Sequence, residues 1–227
     1  MRIVLGEDQA PMRDGLVRLL ERAGHEVVDS AADGPGVVRA ANAHRPDLVI
    51  ADVRMPPSQT DEGLRAALAI RASIPGIGIL VLSHNVELRY AVELLAEDAR
   101  GVGYLLKQRV AELGAFFTAL DRIAAGASVV DPEVVAALLR RAHGDAAATL
   151  TTPQREVLAL MTAGHTDAGT ADGLIITEPA VAEDVAAIFE TLGRLPGLSP
   201  AQSSRGPEAI PGLDDGPQLD RRTSKEI

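Results

Sequence analysis

The chain has 227 residues, a formal net charge of −10, 46% hydrophobic and 24% charged residues, and no cysteine. That balance supports a buried core, argues against wholesale disorder, and excludes disulfide scaffolds, thiolate zinc sites and cysteine nucleophiles. Aromatic residues make up 2% and Trp is absent, which argues against base-stacking platforms for single-stranded nucleic acid.

Residues 1 to about 125 alternate short apolar runs with helical patterns. Arg2–Gly6 is a strand, and Met12, Leu16, Leu19 and Leu20 repeat at helical spacing. Gly24 stops that helix before a second strand at Glu26–Val28. Val37 to His44 is a weaker helix. Leu48-Val49-Ile50, Ile77–Leu82 and Gly101–Leu106 are runs apolar on both faces. Leu64, Ala67 and Leu68 mark a helix after the third strand, and Leu88, Ala91, Val92 and Leu95 one after the fourth. Val110, Leu113, Phe117 and Leu120 mark the last. Five such strands separated by amphipathic helices predict a parallel sheet covered on both faces.

Ala125-Gly126-Ala127 ends this pattern. Asp131-Pro132 opens a short helix with Val134, Val135, Leu138 and Leu139, and His143–Ala146 reads as a linker. Thr151 and Gln154 fit a capping box ahead of Val157, Leu158 and Met161, a helix that Gly164 ends. A second helix over Ala168–Leu174 is weakened by Gly169 and Gly173, and Thr177-Glu178-Pro179 starts a third. In that helix Val181, Val185, Ile188 and Leu192 hold one face. Residues 196–227 are rich in Pro, Gly, Ser and Asp without periodicity and read as a disordered tail with no amphipathic helix. No apolar run spans a membrane, and Ile3-Val4-Leu5 follows Met1 without a basic leader, so a cytoplasmic protein is expected.

Functional groups of a parallel sheet collect at the carboxyl ends of its strands. Here those ends carry Glu7-Asp8, Asp52, Ser83 and Lys107. Carboxylates crowded together require a cation, and oxygen ligands select Mg2+ or Mn2+. A carboxylate beside such an ion is a nucleophile toward an activated phosphoryl group, and an ammonium offsets charge on the phosphoryl oxygens. The Ser83 hydroxyl is within a strand's width to bond the new group, and Tyr104 is placed to report it by turning inward. A phosphatase of the Asp-x-Asp type is disfavoured, because Asp52-Val53-Arg54 lacks the second acid.

Residues 1–124 resemble the receiver domain of two-component response regulators. The resemblance rests on Glu7-Asp8, Asp52 with Val53-Arg54-Met55-Pro56, Val81-Leu82-Ser83, and Gly103-Tyr104-Leu105-Leu106-Lys107. It implies an α/β flavodoxin-like (βα)5 fold and phosphorylation on Asp52 by a sensor histidine kinase. It also implies Mg2+ held by Asp8, Asp52 and the backbone carbonyl of Arg54, with Glu7 assisting. Ser83, Tyr104 and Lys107 match the family's switch hydroxyl, switch aromatic and phosphate-binding lysine. Many receivers also form homodimers. Pro57–Glu62 makes the loop after Asp52 longer than the usual receiver loop.

Residues 150–193 resemble the LuxR-type helix-turn-helix of NarL/FixJ regulators through Leu150-Thr151, Arg155-Glu156-Val157-Leu158, Met161, Gly164, Ala171, Leu174, Thr177-Glu178, Val181, Val185, Ile188-Phe189 and Leu192-Gly193. The positions that face DNA in that family are Ala180, Ala182, Glu183, Asp184 and Ala187 here. Glu183 stands at a common Lys position and Asp184 at a common His position. Between 150 and 193 one arginine, Arg155, faces seven acids. DNA affinity rests on neutralised phosphates, so this segment disfavours DNA. Ala182, Ala186 and Ala187 are expected to be exposed and to suit a protein partner better.

The sequence therefore predicts a receiver (1–124), a linker with a short helix (125–149), a small all-α helix-turn-helix unit (150–195) and a tail (196–227). The expected function is a phosphorylation-switched transcription regulator, not an enzyme. The alternative is a receiver that acts through protein contact, or as a phosphate sink, without DNA.

Overall fold

The computed structural model describes residues 1–141, 149–162, 167–195 and 198. Strands and helices alternate through the first half: β1 (Arg2–Gly6), α1 (Ala10–Arg22), β2 (Glu26–Ala31), α2 (Gly34–His44), β3 (Leu48–Asp52), α3 (Glu62–Ser73), β4 (Gly78–Ser83), α4 (Leu88–Leu95), β5 (Val102–Leu106) and α5 (Leu113–Ala124). A 3-10 turn, Lys107–Ala111, lies between the last two. Then come β6 (Val129–Val130), α6 (Pro132–Arg141), α7 (Thr152–Thr162), α8 (Asp167–Leu174) and α9 (Glu178–Gly193).

The strands form one sheet in the order β2-β1-β3-β4-β5-β6, and every pair is parallel. Every residue of β3, β4 and β5 is buried, as runs apolar on both faces require. Alternation along each strand divides its side chains between two cores. Ile3, Leu5, Leu48, Ile50, Leu80, Leu82 and Leu105 pack with α1 and α5. Val4, Val49, Ala51, Ile79, Val81, Val102 and Tyr104 face the other way, toward α2, α3 and α4.

Two expectations are corrected here. The sheet has six strands rather than five, because Val129 and Val130 pair with Gly103 and Tyr104. Two residues are too few to display a period. The buried face of α5 is Phe116, Ala119, Leu120 and Ile123, whereas Leu113 is 48% exposed and Val110 lies in the 3-10 turn. The adjacent Phe116 and Phe117 fit two helical phases, and the packing selects Phe116.

The second core does not stop at the sheet. Val92 and Leu95 of α4 belong to the same apolar cluster as Val134, Val135 and Leu138 of α6. That cluster also holds Val157, Leu158 and Met161 of α7 and Val181, Val185, Ile188, Phe189 and Leu192 of α9. At the seam with α4, a Cβ on Gly193 would lie 2.4 Å from Val92 Cγ1, so only glycine permits this approach. Leu198, within the stretch read as tail, is also buried in the cluster; the rest of 196–227 lies outside the described residues, as do the His143–Ala146 linker and Gly164. The caps read from sequence are formed. Thr151 N–H donates to Gln154 Oε1 at 2.9 Å while Gln154 N–H donates to Thr151 Oγ1 at 3.4 Å, and Thr177 Oγ1 accepts from Ala180 N–H.

Candidate functional site

Parallel register sets the strand ends level. Gly6 pairs with Ala51, Asp52 with Leu82, and Ser83 with Leu106. The residues next in sequence therefore converge on one rim. Lys107 Nζ donates to Glu7 Oε2 at 2.7 Å and lies 2.9 Å from Asp52 Oδ2, and all three side chains are buried. Burial raises the pKa of Glu7 despite the nearby ammonium. For Lys107, burial works against the charge, but the bonds to Glu7 and Asp52 outweigh it and raise its pKa. Glu7 Oε1 accepts from Gln9 N–H at 3.2 Å, so both oxygens of this carboxylate are engaged.

Glu7, Asp8 and Asp52 each offer a carboxylate oxygen within 4.8 Å of the others. Asp8 Oδ2 accepts from Gln59 Nε2 at 3.0 Å, whereas Asp8 Oδ1 is buried without a hydrogen-bond partner. The Arg13 guanidinium holds the turn beneath them by donating to the Glu7 carbonyl at 2.7 Å and the Asp8 carbonyl at 3.4 Å. Three carboxylates share one ammonium, which leaves an excess of negative charge and one unspent buried oxygen.

The remaining predicted residues flank this centre. Ser83 Oγ donates to the Asn85 carbonyl at 2.7 Å and accepts from Asn85 N–H, so it is engaged with its own loop. Tyr104 is fully buried, and its hydroxyl has no hydrogen-bond partner; burial pushes its pKa up to about 12. Arg54 is exposed and its side chain pairs with Glu87 at the start of α4.

Sequence reasoning missed four participants. Gln59 and Arg13 carry no pattern of their own. Gly63 stands so close to β3 that a Cβ would be 1.7 Å from the Asp52 carbonyl oxygen, and its N–H donates to Val53 O at 3.0 Å. Asp131 was legible only as a helix start. It is fully buried and accepts from Leu106 N–H at 3.1 Å, Arg109 Nε at 3.0 Å and Glu133 N–H at 2.9 Å. The bonds from Asp131 and Glu112 hold the Arg109 pKa above its ordinary value. This pair ties the residues around Lys107 to the start of α6.

The residues matched to DNA-facing positions lie on α9. Ala182 is 1% exposed and Ala186 and Ala187 are half-buried, which corrects the expectation that these three alanines are exposed; the packing of α9 covers them. Ala180 is half-buried, Glu183 is exposed, and Asp184 is half-buried with its pKa raised by burial and by Glu183. No helix among the described residues is long and apolar enough to cross a membrane.

Comparison with known proteins bears on this arrangement. Residues 3–115 match the response regulator receiver domain. The chain is 30% identical over 197 residues to the probable transcriptional regulatory protein NarL of Mycobacterium tuberculosis, covering 85% of this chain and 88% of that protein. It is 29% identical over 192 residues to the oxygen regulatory protein NreC of Staphylococcus carnosus, covering 80% and 86%. Among solved structures, a LuxR-family two-component response regulator from Aurantimonas is similar at 27% identity and TM-score 0.50, covering 59% of this chain and 91% of that one. The Salmonella typhimurium response regulator RcsB shares the fold at 22% identity and TM-score 0.50, over 85% and 92%. With the parallel sheet, the acidic rim and a relative matched over most of both lengths, the chain belongs to the two-component response regulators of the NarL type.

Proposed function

We propose that this response regulator is a cytoplasmic phosphorylation switch that accepts a phosphoryl group on Asp52 from a sensor histidine kinase. The observation that carries the reading is the position of Lys107 Nζ between Glu7 and Asp52 in a buried carboxylate cluster. An Asp52 carboxylate oxygen forms the new O–P bond as the P–N bond of the donor phosphohistidine breaks, and the electron pair stays with the imidazole. Lys107 then offsets charge on the phosphoryl oxygens. In this reading Ser83 gives up its bond to the Asn85 carbonyl to donate to a phosphoryl oxygen, and the buried Tyr104 is the switch aromatic.

The donor set fits a hard divalent cation. Carboxylate oxygens from three residues are gathered, one of them buried without a partner, and no nitrogen or sulfur ligand is among them. Asp8, Asp52 and the Arg54 backbone carbonyl would hold Mg2+, with Glu7 assisting. When bound, Mg2+ supplies charge compensation for the carboxylates and the transferring group.

The test is labelling by a small-molecule phosphodonor with and without Mg2+, read by intact mass. One phosphoryl group should be gained with Mg2+, and none by Asp52→Asn. Equal labelling of that variant at another residue would overturn the assignment.

The output runs through 150–195 and the receiver through 1–124; the stretch 125–149 links them but adds β6 to the receiver sheet and packs α6 into its core. RcsB, which shares the fold, has been solved as dimers bound to DNA; this is in keeping with transcriptional output and homodimerisation as parts of the proposal. A second reading, protein contact or a phosphate sink without DNA, is favoured by one arginine against seven acids over 150–193. Fluorescence anisotropy on duplex DNA separates them. Salt-sensitive binding that strengthens with beryllofluoride and Mg2+ supports transcription control, and gain of binding only in Glu183→Lys with Asp184→His supports the second reading.

A further inference from the structure

The loop between β3 and α3 reaches back over the carboxylate cluster and places one amide on it. Gln59 Nε2 donates to Asp8 Oδ2 at 3.0 Å across 51 positions of sequence. The loop is built to make this contact. Gln59 holds a left-handed backbone with φ of 58°, a conformation that costs a residue with a Cβ roughly 1 kcal/mol and persists where surrounding bonds enforce it. Those bonds are present. Gln59 N–H donates to the Met55 carbonyl at 3.0 Å, Ser58 Oγ and Thr60 Oγ1 are 2.7 Å apart, and the Thr60 carbonyl accepts from the Tyr90 hydroxyl of α4 at 3.3 Å.

We propose that Gln59 is a positioning residue that fixes the Asp8 carboxylate so that its buried Oδ1 is presented to the divalent cation; this rests on the cation reading above. One oxygen of Asp8 is held by Gln59 and the other is buried with no partner. A free carboxylate rotates about its Cβ–Cγ bond, and the amide removes that freedom before a cation arrives. The donor is neutral. An arginine or lysine in its place would orient Asp8 equally well but cancel the charge that attracts the cation.

The experiment is an Mg2+ titration of the full chain followed by amide chemical shifts, with no phosphodonor present. Gln59→Ala keeps the Cβ and the backbone cost and should raise the Mg2+ Kd about tenfold, the low end of what loss of a residue orienting a metal ligand costs. Gln59→Asn suits the left-handed backbone better but falls one methylene short of Asp8. It should lose affinity while its Tm stays at or above that of the unmodified chain, a combination that a purely structural loop residue would not give. An unchanged or tighter Kd in Gln59→Ala overturns the role of Gln59 alone. Absence of any Mg2+ response in the unmodified chain overturns this role together with the cation reading.

Discussion

Gly63 packs against Asp52 so closely that any side chain at position 63 would collide with the Asp52 backbone: a Cβ would stand 1.7 Å from its carbonyl oxygen. The two residues are joined by the long loop that carries Gln59, and the start of α3 is held against the backbone at the end of β3. Glycine is needed here for closeness, not for an unusual φ.

Gly63→Ala should therefore destabilise the chain by about 3 kcal/mol, the upper part of the overpacking range, because the clash is with backbone rather than a mobile side-chain end. Urea unfolding is the check: the midpoint should fall with the slope unchanged. A midpoint within error of the parent would show that α3 shifts freely and that the clamp is not rigid.

Lys107 is the counter-charge for two buried carboxylates. Lys107→Met keeps the length of the side chain and removes the charge. The variant should lose about 3–5 kcal/mol at neutral pH, since Glu7 and Asp52 are left buried without compensation. Burial already raises the Glu7 pKa, and loss of the ammonium raises it further. A carboxylate whose folded pKa exceeds its unfolded value regains stability as pH falls through the folded pKa. Unfolding measured at pH 7 and pH 5 should show the variant recovering on acidification relative to the parent. Parallel stability curves would count against the charge argument.

Tyr104 supplies a prediction on the alkaline side. Its folded pKa is about 12 against an ordinary value of 10.0. Below 10 both folded and unfolded states keep the proton and stability is indifferent to this group. Between 10 and about 12 the unfolded phenol ionises while the folded one does not, so stability falls by up to about 1.4 kcal/mol per pH unit. Lys107 contributes in the same direction, because its raised pKa means that its stabilisation is lost as the unfolded state deprotonates first. Comparison of the parent with Tyr104→Phe separates the two: the variant should keep the Lys107 slope and lose the tyrosine part. Identical slopes would mean that the hydroxyl is hydrated in the folded state.

Five of the six strands, the two covered faces of the sheet and the residue types gathered at its rim were legible in the sequence. Runs such as Leu48–Ala51 and Ile79–Leu82 are apolar at every position, which only a strand covered on both sides tolerates. Once strands are parallel, the residues after their ends must meet, so Glu7, Asp8, Asp52, Ser83 and Lys107 could be grouped without coordinates. The capping pair Thr151 and Gln154 was equally legible, because its bonds span three residues.

Tertiary structure alone decided contacts between residues whose partners are far away in sequence and whose side chains have several rotamers. No local pattern marks Gln59 as the residue that reaches Asp8, or Arg109 as the partner of Asp131. The phase of α5 between Phe116 and Phe117 was settled by the shape of the core, and the two-residue β6 by the free edge of β5. Ala182 shows the same limit most plainly: the family resemblance places it at a DNA-facing position, and the structure leaves it 1% exposed. Periodicity reports which face of an element is apolar. It does not report how wide that face becomes when a second surface is laid against the helix, because that depends on how closely the surface approaches.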